Sequence, residues 1–218
     1  MTMNSGREDD SPDVIRHLVL LGDALHNVDL GDGEIESALM PRPRNPWKIT
    51  VLQALRAQQR GHMREIPEDA SHVVIGIEGA WAIEASGLLQ GSAHTISEAL
   101  ETLTTAADAF ESILDGMIAA AQETGLPTLL CTLVPARYAK PAQQRAVTTA
   151  LAIFNDRVLR RAIAAKLSVV DLRVVCNEDT DYASATLLSR AGVRKAANVI
   201  RGALYEVSRK PGRPRVYF

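Results

Sequence analysis

"HLVLLGDALHN" (residues 17–27) decides the fold. A near-continuous apolar run ends in Gly22-Asp23, the signature of a strand handing over to a loop. Four further runs share this character: "WKITVLQA" (47–54), "HVVIGIEG" (72–79), "PTLLCTLV" (127–134) and "LSVVDLR" (167–173). Continuous hydrophobicity bounded by turn residues suits strands covered on both faces, as in a parallel sheet. Helical patterns lie between them. "SEALETLTTAADAFESILDGMIAAAQETG" (97–125) puts Leu100, Leu103, Ala107, Phe110, Ile113, Leu114 and Met117 on one stripe, stopping at Gly125 before Pro127. Residues 140–167 and 189–208 behave similarly. Strands alternating with helices imply right-handed crossovers and a three-layer α/β/α domain with about five parallel strands.

The chain of 218 residues fits one domain, expected over 14–208, with a polar lead-in at 1–13 expected to be disordered and a basic tail at 209–218. Hydrophobic residues make up 46% and charged residues 23%, a globular balance, and the net charge of −2 offers no field to draw nucleic acid or an anionic membrane. The opening "MTMNSGREDDSPD" has no apolar core of a signal peptide, and no run approaches the roughly 20 apolar residues that span a bilayer. A cytoplasmic location is therefore expected. Cys131 and Cys176 have no metal or redox spacing and read as packed, reduced thiols. The tail "RKPGRPRVYF" contains a G-R-P core of the kind that enters A·T minor grooves, but one short element on a near-neutral protein reads better as a solvated segment or one laid on a neighbour.

Ligands of an open parallel sheet bind beyond the carboxyl ends of its strands, which points to Gly22-Asp23-Ala24, Arg56, Glu78 to Trp81, Pro135 to Tyr138 and Asn177 to Tyr182. At these places the sequence resembles the SGNH/GDSL hydrolases over roughly residues 16 to 204. "HLVLLGDALHN" resembles their first block, G-D-S with a nucleophilic serine. "ASHVVIGIEGAWAI" resembles the strand running into G-x-N-D. "DYASATLLSRAGVRKAANVI" resembles the last loop and helix, where D-x-x-H usually stands. The resemblance implies a flavodoxin-like fold. It also implies that the nucleophile position falls on Ala24, the oxyanion-hole glycine near Arg56, the oxyanion asparagine on Ala80 and the histidine region on Thr186-Leu187. Only Asp23 of the first block is retained, and none of the five histidines lies in the C-terminal half. Acyl transfer by the usual route needs a nucleophile, a base and an oxyanion donor, so a conventional serine esterase is not expected.

The residues standing in those positions suggest other chemistry. Glu78 beside Trp81 would be partly desolvated, which raises a carboxyl pKa towards neutrality. One reading is a site in which Glu78 and His26 exchange protons beside Asp23. Arg56 would hold an anionic or carbonyl oxygen, Trp81 would stack on the substrate, and Ala24, Ala80, Arg137 and Leu187 would line it. The other reading is an Arg56–Glu78 ion pair that plugs the pocket with Trp81 as filler. Three functions follow: non-hydrolytic acid–base chemistry on a small organic molecule (cyclisation, isomerisation or dehydration), a pseudoenzyme binding a ligand or partner, or an atypical esterase using water activated by Glu78 or Asp23. The expected partner is a small-molecule ligand or substrate. Neither nucleic acid nor membrane is expected, no cofactor or metal is implied, and a homodimer is an option. Plainer roles go to Asp171, a strand-end carboxylate fixing the last loop, and to Asn155, whose side chain should bond a neighbouring loop from inside a helix. "EDTDY" (178–182) reads as a solvated turn and "GDGE" (31–34) as a turn. "PRPRNP" (41–46) reads as an exposed loop that can border the crevice.

Overall fold

The computed structural model describes residues 15–22, 34–39, 47–52, 66–77, 82–84, 94–210 and 213–218. The five apolar runs form β1 (His17–Leu21), β2 (Lys48–Leu52), β3 (His72–Ile75), β4 (Thr128–Cys131) and β5 (Ser168–Val170). All pair in parallel in one sheet of order β2-β1-β3-β4-β5-β6. The last strand, β6 (Val216–Tyr217), is made by the tail, with Val169 opposite Val216 and Val170 opposite Tyr217. The end of the tail therefore joins the sheet of its own chain.

Alternate residues of each strand face opposite helical layers, as the pleat requires. Leu21, Val73, Ile75, Leu130 and Val169 meet α2 (Ile96–Glu123) and α3 (Pro141–Ala165). Leu18, Leu20, Val74, Leu129, Cys131 and Val170 meet α1 (Glu34–Leu39) and α5 (Arg190–Arg209). The short α4 (Leu172–Val175) adds Leu172 to this second layer.

Local chemistry sets the helix ends. Thr95 caps α2 by accepting the Glu98 N–H, and the helix stops at Glu123 before Gly125, whose φ is +67°. Pro141 opens α3 at a position that needs no N–H, and Ser189 caps α5 by accepting the Gly192 N–H. The buried stripe of α2 runs from Leu103 through Ala107, Phe110, Leu114 and Met117 to Ile118 and Ala121. Leu100, expected on that stripe, is 55% exposed, so the buried stripe begins at Leu103. Phe110 meets Phe154 of α3 edge-to-face at 5.1 Å between ring centres, joining the two helices of this layer. On the opposite layer α5 buries Ala196, Ala197 and Ala203, small residues that bring its backbone close to the sheet.

Candidate functional site

The order 2-1-3-4-5 reverses direction between β1 and β3, so the crevice that takes ligands in such sheets lies beyond the carboxyl ends of those strands. Gly22 follows β1 and Gly76 follows β3. The Gly22 N–H donates to the Leu52 carbonyl at 2.8 Å and the Gly76 N–H to the Leu21 carbonyl at 3.0 Å. Gly22 has φ of +109°, and a Cβ there would sit 1.9 Å from the Gly76 carbonyl oxygen. Only glycine allows the two backbones to touch in this conformation.

The chain leaves the described residues immediately past this mouth. Asp23, Ala24 and His26 follow Gly22, Arg56 follows β2, and Glu78, Ala80 and Trp81 follow Ile77; all seven lie outside the described residues. So do "GDGE" and "PRPRNP". Arg137 and Leu187 are described, and they belong to one wall built from the loops after β4 and before α5.

That wall is closed by its own polar groups. Arg137 donates through Nε to Asp179 at 3.0 Å and through Nη2 to the Asn177 carbonyl at 2.9 Å, and its guanidinium lies 4.8 Å from the Tyr182 ring centre. Its N–H donates to the Ala185 carbonyl at 2.7 Å, which ties the two loops together. The Tyr182 hydroxyl donates to the Cys176 carbonyl at 2.8 Å, and burial pushes the phenol well above its ordinary pKa. Leu187 is half-buried in a tight turn: its N–H donates to Ser184 Oγ at 3.3 Å and its carbonyl accepts from Ala183 at 2.9 Å. A leucine there offers no proton and accepts none.

The strand-end polar residues serve the scaffold. Asn155, 1% exposed, reaches from α3 to the loop after β4, accepting the Leu133 N–H at 2.8 Å and donating to the Leu133 carbonyl at 3.3 Å. Asp171 accepts from Thr132 Oγ1 at 3.1 Å and from Arg173 Nε at 2.8 Å. Burial alone would raise its carboxyl pKa, but the Arg173 guanidinium outweighs that and holds it below the usual range. "EDTDY" departs from a solvated turn. It winds into a 3₁₀ turn at Asp179–Asp181, with Asp181 fully buried. Asp181 accepts the Glu178 N–H at 3.0 Å and lies 2.8 Å from Lys195 Nζ of α5. The partner of this carboxylate stands fourteen residues further on in sequence, which no local pattern reveals. Gly192 packs so closely on this turn that a Cβ would lie 2.2 Å from the Asp181 carbonyl oxygen.

Three groups at this end of the sheet, Tyr138, Cys131 and Cys176, were not singled out as reactive by sequence. Tyr138 is half-buried, and burial together with the nearby Glu84 carboxylate raises its phenol pKa. Its N–H is fixed by Gln144 Oε1 at 2.6 Å. Cys131 and Cys176 are buried free thiols, each pushed up to about 12 by desolvation, and so are poor nucleophiles. Among the described residues no three His, Cys, Asp or Glu side chains gather as a metal site, and no helix is long and apolar enough to cross a membrane.

No protein-family model and no curated protein matches the chain. Solved structures do. An extracellular lipase from Streptomyces rimosus superposes with a TM-score of 0.62 at 13% identity, covering 86% of this chain and 99% of its own. A GDSL-like lipase from Bacteroides thetaiotaomicron gives 0.59 at 12% identity, covering 88% of each chain. The fold is that of the SGNH/GDSL hydrolases. A phospholipase A1 from Streptomyces albidoflavus shares it, with a TM-score of 0.61 at 13% identity over 87% of this chain and 99% of that one. Identity this low fixes the SGNH-hydrolase architecture and leaves the chemistry to be argued from this chain's residues.

Proposed function

We propose that this SGNH-fold protein handles a small organic molecule in its carboxyl-end crevice by proton transfer, without acyl attack. The observation that carries the reading is the Ser184–Leu187 turn. The resemblance puts the acid–base histidine region on this segment, where Thr186 and Leu187 stand and no histidine occurs. Ala24, in the nucleophile's place after Gly22-Asp23, has no atom able to attack a carbonyl. Ala80, in the oxyanion asparagine's place, has no donor.

Glu78 and His26 then act as the acid–base pair, Arg56 steadies an anionic or carbonyl oxygen, and Trp81 covers the substrate and keeps water out. Cyclisation, isomerisation and dehydration each need one or two placed proton donors in a dry pocket. The test has two arms. Purified protein incubated with short-chain nitrophenyl esters and a fluorophosphonate probe should show neither turnover nor labelling; ester turnover would point instead to water activated by Glu78 or Asp23. With a native substrate in hand, Glu78→Gln and His26→Ala should each abolish conversion while the folded spectrum is unchanged. Variants that convert it at the wild-type rate sink the reading.

A non-catalytic role is favoured by one specific observation, the commitment of Arg137 to Asp179, Asn177 and Tyr182 within its own wall. A protein of that kind binds its ligand equally well with Glu78→Gln and converts nothing.

A further inference from the structure

The opposite end of the sheet carries a second, separate cleft. It has a volume of about 210 Å³ and lies at the amino ends of β4 and β5. The Gly125–Thr128 entry to β4, the Lys166–Ser168 entry to β5, Val207 near the end of α5, and Lys210, Arg213 and Pro214 of the tail line it. Lys166, Lys210 and Arg213 line it together, and among the described residues the lining contains no acid. The whole chain has a net charge of −2, so this is a local reversal of sign.

Two features of the backbone fix the arrangement. Lys166 ends α3 in the left-handed region, at φ 56° and ψ 37°, the only non-glycine residue with positive φ among those described. Its N–H donates to the Ile163 carbonyl at 3.1 Å, and the Leu167 N–H donates to the Ala162 carbonyl at 2.9 Å, closing the helix in a Schellman turn. Glycine is the unstrained residue there, and a lysine is held against that preference. The strained residue stands in the lining of the cleft. Second, the tail is pinned where it passes. The Arg215 N–H donates to Ser168 Oγ at 3.2 Å, and the Val169 N–H to the Arg215 carbonyl at 2.8 Å. Arg215 itself is spent on Glu206 at 2.7 Å. Pairing of β6 with β5 thus holds Arg213 over the cleft.

The hydroxyls of the lining have partners of their own: Thr128 Oγ1 donates to the Leu126 carbonyl, and Ser168 Oγ accepts from the Arg215 N–H and is hydrogen-bonded to the Tyr217 hydroxyl. Recognition must come from Lys166, Lys210 and Arg213, which means charge. The cleft is smaller than the roughly 300 Å³ at which drug-sized pockets begin. We propose that it is an anion site for a phosphate monoester, with the three cations around the dianion and Leu126, Leu167 and Val207 beside the organic part.

Calorimetric titration of the full chain with inorganic phosphate tests this. The expected result is saturable binding near a millimolar dissociation constant, the range open to a small anion on exposed cations. The combined Lys166→Ala, Lys210→Ala and Arg213→Ala variant should weaken it at least about tenfold, as should added salt. All three side chains are exposed, so the variant's thermal midpoint should not fall. Free glycerol phosphate and vesicles of phosphatidylcholine carrying phosphatidate then distinguish the source of the ester: vesicle binding that the triple variant abolishes assigns a lipid headgroup, and its absence assigns a soluble ligand. Glu78→Gln leaves phosphate binding unchanged, which separates this site from the crevice. No saturable heat, or equal affinity in the wild type and the triple variant, overturns the proposal.

Discussion

The two ends of the parallel sheet use polar residues differently. At the amino end, histidines act as buried posts. His17, 2% exposed, places Nδ1 2.9 Å from Asp69 and Nε2 2.9 Å from Thr50, while Lys48 pairs with the same Asp69 at 2.8 Å. His72, 1% exposed, lies with Nδ1 2.9 Å from Ser71 Oγ and Nε2 2.6 Å from Ser208 Oγ. The Ser208 hydroxyl proton goes to the Leu204 carbonyl, so Ser208 accepts from Nε2–H, while the Ser71 hydroxyl proton goes to the His17 carbonyl at 3.0 Å. Burial favours the neutral form of this ring. At the carboxyl end beyond β4 and β5, carboxylates, an amide and an arginine hold the loops. The comparison teaches that His17 and His72 are building material at the amino end of the sheet, whereas the described carboxyl-end loops are held by carboxylates, an amide and an arginine.

The largest effect that can break this contrast is expected at the mouth. Gly22→Ala forces a Cβ onto the Gly76 carbonyl, and a loss above about 4 kcal/mol, read as failure to accumulate folded protein, is expected. Tolerance of alanine would show that the two backbones do not meet there. Next comes the amino end and its pH dependence. Desolvation lowers the His72 pKa from 6.5 to about 4, so the unfolded chain takes up the proton first. Stability is therefore full above pH 6.5, declines as the pH falls towards 4 and levels below it, by up to about 3 kcal/mol. Denaturant midpoints measured across that window should slope in the wild type and slope less in His72→Gln. Equal slopes would remove His72 as a post.

A smaller effect is expected at the carboxyl end from Asn155→Ala, which strips both backbone partners from buried Leu133 and should cost about 2 kcal/mol by chemical denaturation. The smallest is Arg137→Ala. Its acceptor Asp179 is 95% exposed, so the ion pair contributes little, and a loss of about 1 kcal/mol is expected. With a substrate known, an unchanged KM in Arg137→Ala keeps this arginine as a loop tie; a raised KM with an unshifted melting curve returns it to the binding wall.

Much of the scaffold was legible because its signals are local. The five apolar runs, the three long helical patterns and the stop at Gly125 are read from spacing and turn residues. Asn155 announced itself as a polar residue in a helix interior, and it bonds the Leu133 loop. The candidate site was legible only as positions after strand ends. What occupies them from Asp23 to Trp81 lies outside the described residues, and the wall that is described proved self-satisfied. Asp181 was misjudged as solvated because three acids in five residues look like a surface turn until the Lys195 ammonium arrives from α5.

The order of strands and helices, the glycine at the mouth, and the absence of serine at 24 and of any histidine beyond residue 94 are properties of the sequence by itself. Tertiary structure alone decided that the tail becomes β6, that His17 and His72 end as buried posts, and that Lys166, Lys210 and Arg213 converge on one cleft. The reason is range. Periodicity and turn chemistry act over a few residues, whereas strand pairing, burial and the meeting of charges are fixed only when distant segments close on one core.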